Sequence, residues 1–460
     1  MKHNGLSFFP ATVPAGVQLF HGTPFDNDAV TGLEWLAFGE GFSYTYTGMP
    51  RDPNCYSANN GHKEEGGASD CPPLDYSPGY LQTYTTTRPL RLLYIDGLSG
   101  VKLDRGTLDS QDLVLLNRSA ADAHAFDLQR ANALCGLARD EWEGRIDGFI
   151  RGSVGFEVIL CEFEGAVELT DSVRAERGGF GPPYISKEVA LMMMFDIYKN
   201  VEEHFWGLGR ETVRVDFERM VSVYAVEGVD VWVNGTNNQP RLTDMGYEQK
   251  SEVRERLSEM ILGQNTSNAV DWQAIVDVIV THYHERLFDY AYGSDPFLST
   301  PSLMLANLNL LIRTFINPDR RNAKQEILRC TNRFLPAASR PSIPATAVTQ
   351  VLKHICTTLL GAEAILSQSI NHDIRSMAQT PIFHAEHQHN DNITLDRFRK
   401  LFRDLLEDLS WPIHKFCRGC SSSEVCFTAV YPFGTKEDLE QPSCKNLVET
   451  ASRFAAGYWA

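Results

Sequence analysis

The sequence predicts an α+β fold in two parts, and three observations carry that reading. Short runs rich in β-branched and aromatic residues, bounded by Gly, Pro and Asp, fill the first 175 positions. From about residue 185, apolar residues recur at helical spacing instead. Ten cysteines occur, and the last four crowd between Cys417 and Cys444, where a disulfide-tied tail is expected. A chain of 460 residues has room for two domains. The expected boundaries are 1–180 for a β-rich domain and 185–460 for a mostly helical one with a Cys-rich cap.

In the first part, strands are expected at 17–23 (VQLFHGT), 34–38 (EWLAF), 79–87 (GYLQTYTTT), 90–96 (LRLLYID) and 156–163 (FEVILCEF). A further short strand starts at Asp147-Gly148. One helix is expected over 122–139, with Phe126, Leu128, Ala131, Leu134, Cys135 and Ala138 as its apolar stripe. Residues 48–78 have no periodicity and much Gly, Pro, Asn and Asp, so they read as a long surface loop that Cys55 and Cys71 could close.

In the second part the clearest helix is DWQAIVDVIVTHYHERLFDY. Trp272, Ile275, Val276, Ile279, Val280, Tyr283 and Leu287 share one face, and Asp271 is placed to cap it. Further helices fit 187–206, 249–262, 302–316, 322–333, 345–370 and 395–409. Residues 335–345 (LPAASRPSIPA) form a Pro-rich link.

The net charge of −17 leaves no excess of positive charge to displace counterions from phosphates. That argues against a nucleic-acid binder and against an anionic membrane surface. No run is apolar for the roughly 18–20 residues a bilayer span needs. MKHNGLSFFPATVPAG lacks the continuous apolar core of a signal peptide. Ten cysteines beside N-x-S/T sequons at Asn117, Asn234, Asn265 and Asn392 nonetheless point to an oxidising compartment. An extracellular protein whose leader lies outside this numbering is expected.

Three groups of residues could carry chemistry. The strand 17–23 ends on His21, Gly22 and Thr23, which would present an imidazole, a bare backbone and a hydroxyl at one sheet end. The same residues also suit an ordinary strand end with a turn glycine. Glu157 lies inside an apolar strand, where alternation sets Glu157, Ile159 and Cys161 against Phe156, Val158 and Leu160. A carboxylate there is costly unless paired or used. Arg151 and Arg91 are its candidate partners.

Around LLYIDGLSGVKLDRGTLDSQDLVLL sit Asp96, Asp104, Asp109 and Asp112. Asp109, Gln111 and Asp112 form a second tier of site candidates. Paired carboxylates serve glycoside hydrolysis, and in loops they also cap turns. In PIFHAEHQHN, residues His384, Glu386, His387 and His389, with His282 and His284, have zinc- or copper-like spacing but lack the H-E-x-x-H pattern. They read as a solvated loop, and no metal is predicted. Cys417, Cys420, Cys426 and Cys444 open with C-x-x-C but lack a second such pair, so two disulfides are expected.

Taken in order, HGT at a strand end, then EWLAFGEGFSYTY, then GYLQTYTTTRPLRLLYID, then the DGF segment leading into FEVIL resemble the ADP-ribosyltransferase fold in its His-aromatic-Glu branch. The resemblance covers about 150 of 460 residues. It implies an N-terminal split β-sheet domain that uses NAD as substrate. It also implies that His21, Gly22 and Thr23 contact ribose and nicotinamide, that Trp35 is the aromatic, and that Glu157 is the catalytic residue. Trp35 stands where that branch has Tyr.

The chemistry so implied is ADP-ribosyl transfer from NAD, or its hydrolysis, through an oxocarbenium-like transition state. A carbohydrate-active hydrolase using Asp109 or Asp112 with Glu157 is the alternative enzyme. A secreted effector or binding protein without activity is the alternative outside enzymes. The expected partner is a small nucleotide or sugar. Through LLYIDGLSG, GTLDSQD, EVCF, YPFG and PSC the whole chain also resembles a family of uncharacterised secreted proteins of filamentous fungi, which implies no activity.

Overall fold

The computed structural model describes residues 4–25, 28–48, 79–102, 106–118, 127–175, 212–231, 240–263, 270–295, 298–336, 341–377, 384–430 and 433–454, with scattered residues between 191 and 208. The chain divides into two compact units, Met1–Thr266 with Lys415–Ala460, and Ser267–His414. The Cys-rich tail, expected with the helices, therefore belongs to the first unit.

The first unit is mixed α and β. Its strands are β1 (Asn4–Val13), β2 (Gln18–Thr23), β3 (Glu34–Ala37), β4 (Tyr80–Thr86), β5 (Leu90–Gly97), β6 (Gly148–Gly152), β7 (Phe156–Leu160), β8 (Val167–Arg174), β9 (Arg214–Val215) and β10 (Val221–Ser222). They form one curled sheet in the order β10-β1-β5-β6-β7-β3-β2-β4-β8, with β9 also pairing β1. Only β5 and β6 run parallel; the other pairs are antiparallel. The five expected strands and the one starting at Gly148 are present within a few residues.

Strand β1 was not expected, because Pro10 interrupts its apolar run. Pro10 nonetheless pairs with Leu93, and its carbonyl accepts from the Asp216 amide. Strand β8 was also unexpected. It is an edge strand with mostly half-buried or exposed polar residues, so apolar alternation is weak there.

Each face of the sheet holds a core. One face carries Leu93, Ile95, Phe149 and Ile159, with Trp35 packed beside them. It is covered by a π-helical turn (Ser110–Leu115) and by helix α2 (Asp127–Asp140), after the short helix α1 (Glu40–Tyr44), and by α3 (Tyr247–Leu262). The other face carries Leu19, Leu36, Tyr84, Leu92, Ile150, Val158, Leu160 and Phe163. On α2 the buried residues are Arg130, Ala131, Leu134 and Ala138, whereas Leu128, expected in the stripe, is exposed.

The second unit is helical: α4 (Trp272–Tyr292), α5 (Pro301–Ile312), α6 (Ala323–Thr331), α7 (Ile343–Met377) and α8 (His384–Leu409). Asp271 caps α4 by accepting from the Ala274 amide, as expected. Tyr290, Phe398 and Phe402 pack as one aromatic cluster, and Cys330–Cys356 ties α6 to α7. Helix α8 begins at His384, so the segment read as a solvated loop is helical. The side chains of His384, Glu386, His387 and His389 lie outside the described residues. No described helix is long and apolar enough to cross a membrane.

The tail returns to the first unit as β11 (Glu424–Phe427) and β12 (Ser443–Asn446), followed by helices α9 (Lys436–Glu440, between the two strands) and α10 (Leu447–Phe454). Cys417–Cys426 and Cys420–Cys444 are disulfides, as expected, and a fourth joins Cys135 to Cys161. Val425, Phe427, Val430 and Phe433 pack with Leu98 and Val101. The tail thus backs the loop that follows β5. Cys55, Cys71, Asp104 and the expected loop beyond Gly48 lie outside the described residues, as does most of the expected helix 187–206.

Candidate functional site

Strand register decides which expected site residues can meet. Glu157 pairs with Ala37, and Ala37 pairs with Phe20. Directly opposed residues send their side chains to the same face, and neighbours along a strand alternate. Glu157, Trp35 and Gly22 therefore share one face, while His21 and Thr23 point to the other. The structure does not bring the His21 ring and the Glu157 carboxylate together.

His21 is 9% exposed, its Nδ1 lies 2.8 Å from the Trp35 carbonyl, and its ring meets Phe163 edge-on at 6.5 Å. Its cross-strand partner Gln82 is fully buried and donates to the Asp28 carbonyl. Thr23 accepts through Oγ1 from the Phe25 amide, which closes a local turn. These are packing roles. Gly22 has one too: a Cβ there would lie 1.8 Å from the Ser43 carbonyl oxygen and 3.2 Å from the Tyr46 Cβ. The glycine lets the 40–48 segment lie flat on β2.

On the Glu157 face a charged cluster forms where β5 and β6 end and β7 begins. Arg151 is fully buried. Its Nε donates to Glu157 Oε1 at 2.9 Å, with Nη2 2.6 Å from the same oxygen. Its Nη1 donates to Gln111 Oε1 at 3.2 Å and Asp127 Oδ1 at 3.2 Å, and its Nη2 to Asp127 Oδ2 at 3.1 Å. One guanidinium thus holds two carboxylates and an amide. Arg91, the other candidate partner of Glu157, instead binds Asp147.

The two carboxyls respond oppositely. Burial pushes Glu157 above its usual value, and the charge of Asp127 adds to that against the pull of Arg151. Burial also works to raise Asp127, but Arg151, by charge and hydrogen bond, with Lys102 and Arg130, outweighs it and holds the carboxyl at about 2. Asp127 keeps 20% of its side chain exposed, and Lys102 lies 3.7 Å from it. Among the described residues no hydrogen bond reaches Glu157 Oε2.

Tyr46 borders this cluster. Two-fifths of the residue is exposed, yet its hydroxyl is held above its usual value by burial and then by Glu157 and Asp127. The bare backbone of Gly100 lies against Glu157; a Cβ there would come 2.6 Å from Oε1. The Gly100 amide donates to the Gly152 carbonyl.

The second-tier residues separate. Gln111 joins the cluster, accepting from Arg151 and donating to the Ser99 carbonyl. Asp112 is fully buried in a two-pronged pair with Arg130, at 2.8 and 2.9 Å. Asp109 is held by Arg241 in the same way and accepts from the Leu242 amide. Both aspartates brace neighbouring segments. Asp96 sits on the other face at the end of β5, bonded to the Tyr94 hydroxyl and the Gly97 amide, and burial raises it. Sequence reasoning missed Asp127. It lies at the start of α2 and shares with Arg130 a helical face that apolar counting passes over.

Comparison with known proteins places this cluster in a recurring segment. The family described as the YPL277C N-terminal domain matches residues 50–178. That span holds Gln111, Asp127, Arg151 and Glu157 and leaves out His21 and Trp35. The uncharacterised protein YOR389W of Saccharomyces cerevisiae is 26% identical over 340 residues, which cover 61% of this chain and 53% of that protein. The uncharacterised protein YPL277C of the same yeast is 25% identical over 347 residues, 61% of this chain and 69% of its own. This chain thus spans about half the length of the first relative. No solved structure matches. The family match, over residues 50–178, spans the segment that carries the Arg151 cluster.

Proposed function

We propose that the first unit acts on a glycosidic bond, with Glu157 as the catalytic acid and Asp127 as the ionised carboxylate beside it. The observation that carries this reading is two carboxyls on one arginine, one pushed up and the other held down at about 2. Such a split is how an acid and an anion are assigned within one site. Both lie on Arg151 Nη2, so their bound oxygens are at most roughly 6 Å apart, near the spacing of a retaining pair.

Protonated Glu157 would give its proton to the leaving oxygen as the bond to the anomeric carbon breaks. Asp127 would face the positive charge that develops on the sugar. Water then supplies the oxygen bonded to that carbon, and its proton returns to Glu157. Arg151 keeps Asp127 ionised, and Gln111 fixes the guanidinium.

A second substrate class is NAD, whose nicotinamide–ribose bond is also glycosidic. Trp35 favours it: it shares the Glu157 face, and its buried Nε1 has no partner among the described residues. The grip expected of His21 and Thr23 lies on the opposite face, and nicotinamide leaves without needing a proton. The O-glycoside reading therefore comes first. The four disulfides among the described residues suit an extracellular or other oxidising site of action.

The test is turnover of an aryl-glycoside panel, and of NAD, by the purified disulfide-bonded protein and by Glu157→Gln and Asp127→Asn. Loss of general acid catalysis should cost about 10²–10⁴-fold with substrates that have poor leaving groups. Turnover of neither substrate class by the unaltered protein sinks the reading.

A further inference from the structure

We infer that the Cys135–Cys161 disulfide is the clamp that sets the Asp127–Arg151–Glu157 geometry, and that it makes this site responsive to dithiol reductants. The inference rests on the proposed role of that cluster. Asp127 is the first residue of α2, and Cys135 lies two turns further along the same helix. Glu157 is on β7, and Cys161 immediately follows that strand. The disulfide between them is thus a covalent link between the two elements that carry the two carboxyls. On the same sheet face Ile159 sits between Glu157 and Cys161 in the alternation, so the clamp and the carboxylate share one strand edge.

Part of the attachment of α2 at its site end is polar: Arg130 on the helix reaches Asp112, and Arg151 on β6 reaches Asp127 on the helix. Such bonds hold position only while the helix stays seated. Helix α2 buries Ala131, Leu134 and Ala138 in the core, with Leu137 packed partly buried beside them, and the covalent link adds a fixed tether to that packing.

Accessibility separates this bond from the one in the helical unit. Cys135 and Cys161 are each partly exposed, whereas Cys330 and Cys356 are fully buried. A dithiol can reach the first pair by thiolate attack on one sulfur. The S–S bond then breaks, Cys135 and Cys161 each gain a proton and an electron, and the dithiol leaves as its own disulfide.

Two measurements on the full chain test this. The first is hydrogen exchange read by mass spectrometry, comparing the oxidised protein, protein treated with a mild dithiol and then alkylated, and the Cys135→Ser/Cys161→Ser double variant. Exchange should rise about tenfold or more over 127–134 and 148–160 in both opened forms, and in the double variant, whose equally exposed tail disulfide Cys420–Cys444 stays closed, it should remain unchanged over 424–446 and in the helical unit. Unchanged exchange over 127–134 once Cys135 and Cys161 are alkylated overturns the inference. So does a rise spread over the whole chain, which marks a purely structural bond.

The second is turnover of whichever substrate the oxidised protein accepts. It should fall about tenfold or more in both opened forms. Undiminished turnover there overturns the clamp while leaving the glycosidic reading standing. No turnover even in the oxidised protein removes the glycosidic reading, and the local rise in exchange still reports on the clamp.

Discussion

Arg151 and Glu157 are direct cross-strand partners on β6 and β7, and two nitrogens of the buried guanidinium converge on one carboxylate oxygen, at 2.9 and 2.6 Å. Among the described residues the other carboxylate oxygen accepts no hydrogen bond. The pair is therefore both a strut and part of the candidate site, and its two members should respond differently to substitution.

Removing Arg151 should be far more damaging than removing the charge of Glu157. Arg151→Ala strands two carboxylates around an empty, fully buried position. Breaking a buried pair from one side typically costs about 3–5 kcal/mol. Glu157→Gln keeps a similar shape and leaves Arg151 its bonds to Asp127 and Gln111. It should change stability by less than about 1 kcal/mol. Urea unfolding of the two variants checks the ordering, and equal losses would show that the arginine is not the centre of the cluster.

Acid should weaken the first unit through Asp127. Its carboxyl lies at about 2 in the folded protein against an ordinary 3.8, a difference worth about 2 kcal/mol. A lowered carboxyl stabilises the fold at all pH values above its ordinary range, and that support is lost as pH falls from there through about 2. Glu157 runs the other way. Its raised value means that ionising it costs the fold, so its effect on stability worsens as pH climbs above its ordinary range. Urea midpoints against pH should fall less steeply on the acid side for Asp127→Asn than for the unaltered protein.

Two glycines should tolerate no side chain, for separate reasons. Gly22→Ala drives a Cβ into the Ser43 carbonyl at 1.8 Å, backbone against backbone, so either β2 or the 40–48 segment must move. A loss of several kcal/mol, or no soluble protein, is expected. Gly100→Ala instead meets Glu157 Oε1 at 2.6 Å. A side-chain end can shift, so the fold should survive while Glu157 is displaced. Thermal unfolding beside turnover separates the two effects.

The sequence made the strands legible because most of them alternate or sit between turn residues. It hid β1 behind Pro10 and β8 behind the polar surface of a sheet edge. The same limits apply to the site. Glu157 stood out as a carboxylate inside an apolar strand, and its partner could be narrowed only to Arg151 or Arg91, a choice that the β6–β7 register decides for Arg151. Asp127 could not be found that way, because its partner is 24 residues off and its helix buries an arginine where apolar counting expects leucine. His21 misled for a related reason. Its place at a strand end is visible in the sequence, but the face it uses depends on the pairing of Phe20 with Ala37, a long-range register that no local pattern reports.

That register yields the sharpest contrast. His21 holds the Trp35 carbonyl and packs against Phe163 on the face opposite Glu157. His21→Ala removes one buried hydrogen bond and a ring contact, and leaves a carbonyl unpartnered. The cost should be about 1–3 kcal/mol of stability. Neither of its described partners, the Trp35 carbonyl and Phe163, bonds to the Arg151 cluster, so kcat/KM should stay within about twofold at temperatures well below unfolding. Glu157→Gln should do the reverse, sparing stability and losing turnover. The double variant should combine the two effects without coupling, because among the described residues the two share no partner. If His21→Ala instead cut turnover as deeply as Glu157→Gln at unchanged stability, the two side chains would have to meet a common ligand, and the face assignment drawn from the β2–β3–β7 register would be wrong.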